Sequence, residues 1–193
     1  MSSAKATYHH GDLAAACRDA ALELLEESGE TALSLRAVAR RAGVSPAAPY
    51  RHYADREALV SAVAAVGYRE LAERLSAAHP APSTPDQLAD VAVAYVRFAL
   101  ERPALFRVMF AEPCDRDNDE RVAAIAAVKL YLREIVARCF PRSDPEALAP
   151  AIWALVHGLA FLSLDGKLEA DGRDAVAARI TAAVEAILSA TAR

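Results

Sequence analysis

Three times in this chain a side-chain oxygen acceptor stands directly before a proline that opens a largely apolar stretch: Ser45-Pro46, Thr84-Pro85 and Asp144-Pro145. Such a pair starts a helix. The oxygen accepts from the otherwise unpaired N–H groups of the first turn, and proline lacks an N–H that would go unused there. Gln87 follows Thr84 by three residues and completes a capping box. Ser34 and Asp55 are further caps, while Ser28-Gly29, Ala42-Gly43 and the run His79-Pro80-Ala81-Pro82-Ser83 are stops. Between these marks the apolar residues recur at three- and four-residue steps, as in Leu13, Cys17, Ala20, Ala21, Leu24 and Leu25. Alanine, the best helix former, fills 47 of 193 positions, and aromatics, which favour strands, make up only 6%.

The pattern predicts an all-α chain of nine helices. The first runs to Ser28, then come Leu35 to Arg41, a helix capped by Ser45, and Arg56 to about Ala77. Thr84 opens one to Glu101, Pro103 a short one through Phe110, and a long one ends near Cys139. The last two run from Pro145 to Leu164 and from Arg173 to about Ser189. A division into an N-terminal three-helix unit, 1–55, and a helical unit, 56–193, follows, with the Pro-rich run near Pro80 as a rival boundary.

The start of the chain lacks the charged-then-apolar pattern of a secretory leader, and the longest apolar run, Ala151 to Leu164, is shorter than a membrane span of about 20 residues. Cys17, Cys114 and Cys139 are far apart and form no CxxC pair, which speaks for a reducing compartment. The expectation is a soluble cytoplasmic protein with no membrane contact. Cys114 lies beside the acidic loop Asp115 to Asp119, which raises a thiol pKa and disfavours a thiol sensor.

Charge is unevenly spread. From Thr31 to Ala54 stand Arg36, Arg40, Arg41 and Arg51 and no acid, so with a net charge of −4 the rest of the chain carries −8. A basic island on an acidic body is a footprint of local anion binding. The island coincides with two short predicted helices joined by Arg41-Ala42-Gly43-Val44, where Gly43 permits a sharp turn. Leu35, Val38 and Ala39 form the inner face of the first, and Val44 and Pro49 are spaced as a hydrophobic staple around the second. Two helices in this relation form a helix-turn-helix, whose second helix fits a major groove about 12 Å wide.

The run from Ser34 to Leu59, SLRAVARRAGVSPAAPYRHYADREAL, resembles the DNA-binding signature of TetR-type transcriptional regulators, with Asp12 to Ser28 in place of that family's first helix. In the second half Trp153-Ala-Leu-Val-His157-Gly158 resembles the Trp-x-x-x-His-Gly signature of one TetR C-terminal domain type. The resemblance implies a dimeric regulator that binds a double-stranded DNA operator, acts as a repressor and is released by a small-molecule effector. It implies base contacts from Pro46, Ala47, Ala48 and Tyr50, with the alanines limited to apolar contact. Arg36 is the candidate for a bidentate guanine contact. Tyr50 and His52 suit phosphate or base, Arg51 suits the backbone, and Ser34, Ser45 and Arg56 stand at helix starts that favour phosphate. Tyr53 reads as a core residue. Pro49 stands where that family usually carries a larger aliphatic residue. An interior proline costs roughly 3 kcal/mol, most of which vanishes in a first turn, so the second helix is expected to start irregularly.

The second half holds most of the large aromatics. Tyr95, Phe98, Phe106, Tyr131, Trp153, His157 and Phe161 are candidates for an effector cavity, which the resemblance implies. Trp153, His157 and Phe161 share one helix face, and core packing with a satisfied imidazole is the other reading of them. Ala151 to Leu164 and Ala175 to Leu188 are apolar on nearly all faces, and Ala154, Gly158, Ala178, Ala182 and Ala186 permit close helix approach. A two-fold four-helix interface between two copies follows.

An alternative from another class is a helical metal-dependent enzyme built on His9, His10 and Asp12. The chain offers no Gly-rich phosphate loop, no nucleophile-base-orienter set and no paired ligand motif, so no cofactor, metal or catalysis is expected. Asp12 reads instead as a favourable charge at a helix start.

Overall fold

The computed structural model describes residues 13–110, 115, 117–168 and 172–191. His9, His10, Asp12 and Cys114 lie outside these residues. The described chain is all-α: α1 (Leu13–Ser28), α2 (Leu35–Arg41), α3 (Arg56–Ala78), α4 (Pro85–Glu101), α5 (Pro103–Phe110), α6 (Asp119–Cys139), α7 (Pro145–Leu164) and α8 (Arg173–Thr191). The caps work as their chemistry requires. Ser34, Asp55, Thr84 and Asp144 accept from the N–H groups of Ala37, Ala58, Gln87 and Glu146. Gly29 closes α1 at φ 75°, its N–H on the Leu25 carbonyl at 2.9 Å.

Eight α-helices form among the described residues, not nine. The helix expected from Ser45 is a turn followed by a short 3-10 helix, Pro49–Arg51. An α-helix there needs an N–H from residue 49 to the Ser45 carbonyl, and Pro49 has none. The Ser45 carbonyl instead accepts from Ala48 at 2.9 Å, and the Arg51 and His52 N–H groups reach Ala48 and Pro49 by the same three-residue step. Ser45 is therefore not the N-cap of an α-helix.

α1, α2 and this turn pack around Leu25, Val38, Leu59 and Tyr53. α3 is shared. Its first turns close this small unit, and its later turns pack against α4, α5 and α6. Gly67 on α3 faces α5, where an added Cβ would lie 2.6 Å from the Met109 sulfur, so the two helices approach over a missing side chain. α4 lies between α3, α7 and α8. Phe98 of α4 and Phe106 of α5 are the largest wholly buried side chains in the core.

Two ion-pair sets brace this arrangement. Arg41 at the end of α2 binds Glu23 at 3.1 Å and Glu27 at 2.8 Å on α1. Arg102, between α4 and α5, joins Glu70 of α3 at 2.8 Å and Glu26 of α1. α7 is apolar and long enough to cross a membrane, yet only 17% of its most apolar window is buried within the chain. Ala151 and Ala154 are exposed, and Leu162 is 44% exposed.

Candidate functional site

Two sites emerge, one before the start of α3 and one beside its middle turns. At the first, α1 and α2 form a platform that turns the segment 45–53 outward. Gly43, at φ 69°, makes the turn that a side chain would strain. Pro49 and Tyr53 then anchor the segment inward. Both are buried, and the Tyr53 hydroxyl donates to the Ala14 carbonyl of α1 at 3.0 Å. With those positions inside, Pro46, Ala47, Tyr50, Arg51 and His52 face solvent, and Ala48 is half-buried. Tyr50 is 53% exposed, a large apolar ring held in water.

Arg36 and Arg40 project from α2 beside this segment and, with Arg51, make no ion pair among the described residues. Arg41 and Arg56 differ. Arg41 is held by Glu23 and Glu27, whose hydrogen bonds push its pKa up and that of Glu27 down. The Arg56 guanidinium binds the Leu33 carbonyl at 3.1 Å, the Glu30 carbonyl at 3.2 Å and the Glu30 carboxylate at 3.1 Å. It ties the start of α3 to the loop before α2. The hydroxyl oxygen of Ser34 is engaged with the Ala37 N–H at 3.2 Å, as a cap. The basic island thus splits into bracing arginines and outward ones.

The second site is a cavity of about 690 Å³ between α3, α4, α5, α6 and α7. Its aromatic wall holds the buried Tyr68 and Tyr95 with Phe110 and the 37% exposed Trp153, and its rim holds the exposed Lys129, Arg133 and Glu146. Of the residues expected to line it, Tyr95 and Trp153 do. The Tyr95 hydroxyl is 2.8 Å from His157 Nδ1 and accepts from Trp153 Nε1 at 3.3 Å. Burial raises the Tyr95 pKa and lowers that of His157, so both stay neutral near pH 7.

His157, Phe106 and Phe161 stand behind that wall. The His157 ring packs against Phe110 at 4.4 Å, Phe161 at 4.8 Å and Trp153 at 5.3 Å between centroids. Here the core reading with a satisfied imidazole describes the geometry. Phe98 is wholly buried with the Arg74 guanidinium over its ring, and the Tyr131 hydroxyl donates to the Leu75 carbonyl at 3.2 Å. Neither lines the cavity. Phe110, Tyr68 and the rim charges are not among the residues that the sequence singles out for the cavity. Lys129 and Arg133 are one turn apart on α6, a spacing equally fit for a solvent face.

Cys17 and Cys139 are buried, and burial raises both thiol pKa values. No cluster of three or more His, Cys, Asp or Glu residues suited to a metal occurs among the described residues.

Comparison with known proteins agrees with this geometry. Residues 18–63 match the model of bacterial regulatory proteins of the tetR family, and residues 88–187 match that of a tetracyclin repressor-like C-terminal domain. The HTH-type transcriptional regulator BetI of Rhizobium meliloti (strain 1021) is 30% identical over 148 residues, covering 73% of this chain and 72% of the relative. A protein of unknown function from Rhodococcus sp. RHA1 superposes with a TM-score of 0.78 at 32% identity, over 93% of this chain and 97% of that one. A bacterial regulatory protein in the tetR family from Rhodococcus RHA1 superposes at 0.67 with 24% identity, over 90% and 96%.

Proposed function

The chain belongs to the TetR family of bacterial regulatory proteins and is a DNA-binding transcriptional regulator; from that premise we propose that it is a cytoplasmic, dimeric repressor whose segment 45–53 reads an operator and whose cavity receives a small-molecule effector. The observation that carries this reading is α3 itself. The helix begins at the Asp55 cap, directly after the outward-facing Tyr50, Arg51 and His52, and three turns later supplies Tyr68 and Leu71 to the cavity wall.

On DNA, Arg36 takes a guanine edge in the major groove, Tyr50 and the methyl groups of Ala47 and Ala48 make apolar contact, and Arg40, Arg51 and His52 hold phosphates. Ser34, Ser45 and Pro46, all exposed, complete this surface. Arg56 acts as a brace through the Leu33 carbonyl and Glu30. The exposed apolar face of α7, with α8 beside it, is closed by a second copy, which sets two reading segments at one spacing. An effector that binds better to a dimer with another spacing shifts the population away from the operator-bound form.

Selection of bound fragments from genomic DNA by the purified chain tests the proposal. Enrichment of a sequence with two-fold-related half-sites, about one or more helical turns apart, is expected. Recovery of fragments with no common sequence would overturn it.

A further inference from the structure

The cavity is chemically polarised. At its inner end every polar side-chain group on the wall is already engaged within the protein. The Tyr68 hydroxyl donates to the Met109 carbonyl at 2.9 Å, and the Tyr95 hydroxyl is shared between Trp153 Nε1 and His157 Nδ1. Tyr68 and Tyr95 are 6% and 3% exposed, so a polar ligand group driven in there would lose water and gain little in return. The inner end suits an apolar body against aromatic faces. The rim differs. Its one carboxylate, Glu146, is paired with Arg133 at 2.8 Å, whereas Lys129 makes no ion pair among the described residues. The lining therefore carries one uncompensated positive charge, at its exposed end.

We infer that the cavity takes a monoanion with an apolar body, inserted body first, with its carboxylate or similar acidic head on Lys129. This rests on the proposed reading of the cavity as the effector site. Four aromatic rings could also cradle an organic cation. A cation would then sit beside Lys129 and Arg133 with no unpaired lining carboxylate to balance it, which the charge pattern disfavours.

Trp153 is the only tryptophan in the chain and lies in the wall, so its fluorescence reports occupancy directly. The full-length protein is titrated with decanoate, decan-1-ol and decyltrimethylammonium, each below its aggregation concentration. Decanoate is expected to bind tightest. Lys129→Gln, at an exposed position that leaves the core untouched, should weaken decanoate by about tenfold, the low edge for a charge-assisted hydrogen bond, and leave decan-1-ol unchanged. Lys129→Glu should turn the preference toward decyltrimethylammonium. Binding of the alcohol or the cation at least as tightly as decanoate, or equal loss of all three in Lys129→Gln, would overturn the monoanion while leaving the cavity a ligand site. No fluorescence response to any of the three would overturn both readings.

Discussion

Tyr95 on α4 and His157 on α7 meet hydroxyl to ring nitrogen at 2.8 Å, in a cluster where Phe106, Phe110, Trp153 and Phe161 surround the imidazole. The hydrogen bond satisfies a polar ring inside an aromatic wall and fixes the wall's position against the cavity. Burial holds the His157 pKa below its ordinary 6.5.

That shift sets a pH dependence. The folded state favours the neutral ring, so the contribution is complete above the ordinary histidine pKa. It is lost as pH falls through that value, because the unfolded chain takes up the proton first. The thermal midpoint should be flat above about pH 7.5 and fall toward pH 5.5. His157→Gln, which keeps a polar partner for Tyr95 but does not titrate, should flatten part of that fall. An equally steep fall in the variant would remove His157 from the titrating set.

Pro49 explains why the reading segment is not an α-helix. Pro49→Leu supplies the N–H for a four-residue bond to the Ser45 carbonyl, which now accepts from Ala48, and keeps an apolar side chain at a buried position. Backbone carbon chemical shifts of residues 46–52 should move toward helical values in the variant. Unchanged shifts would place the cause of the 3-10 turn elsewhere.

The arginines should separate by function. Arg36→Ala should weaken operator binding by about 1–3 kcal/mol and relax preference at one position per half-site. Arg41→Ala removes the pairs with Glu23 and Glu27 and should lower the thermal midpoint while leaving the preferred sequence intact. Equal loss of sequence preference in both variants would contradict the split between reading and bracing.

The dimer surface has a clean test at Gly158. A Cβ added there meets nothing within 4 Å in the same chain, so a side chain can start at this position, and Gly158→Glu should keep the thermal midpoint of the monomer fold. Placed in the proposed interface, the carboxylate should convert the sedimenting species from dimer to monomer and abolish tight operator binding. A variant that still sediments as a dimer would move the interface away from this face of α7.

The helices were legible because their ends are chemical. Ser34, Asp55, Thr84 and Asp144 each cap where the sequence places a cap, and Gly43 turns where a side chain would be strained. The third helix is the exception: Pro49 is expected from the sequence only to make its start irregular, whereas a turn and the short 3-10 helix Pro49–Arg51 stand in its place. Residue type alone also failed in the cavity. Aromatic side chains mark both core and pocket, so Phe98, Phe106 and Phe161 looked like Tyr95 and Trp153 until packing distinguished them. The partners of Arg41 and Arg56 lie 14 or more residues away along the chain and are set by the tertiary fold. A charge count therefore does not separate arginines paired within the chain from unpaired ones.

That distinction sharpens the most direct test, the salt dependence of operator affinity. Arg41 and Arg56 are engaged internally and Arg36 is assigned to a base, which leaves Arg40 and Arg51 for phosphates in each subunit. A dimer then neutralises about four phosphates, and the log–log plot of affinity against salt should have a slope of about −4. The acidic remainder of the chain should keep random duplex bound far more weakly than operator. A slope near zero, or equal affinity for operator and random duplex, would contradict the assignment of segment 45–53 and its flanking arginines as the DNA-reading surface.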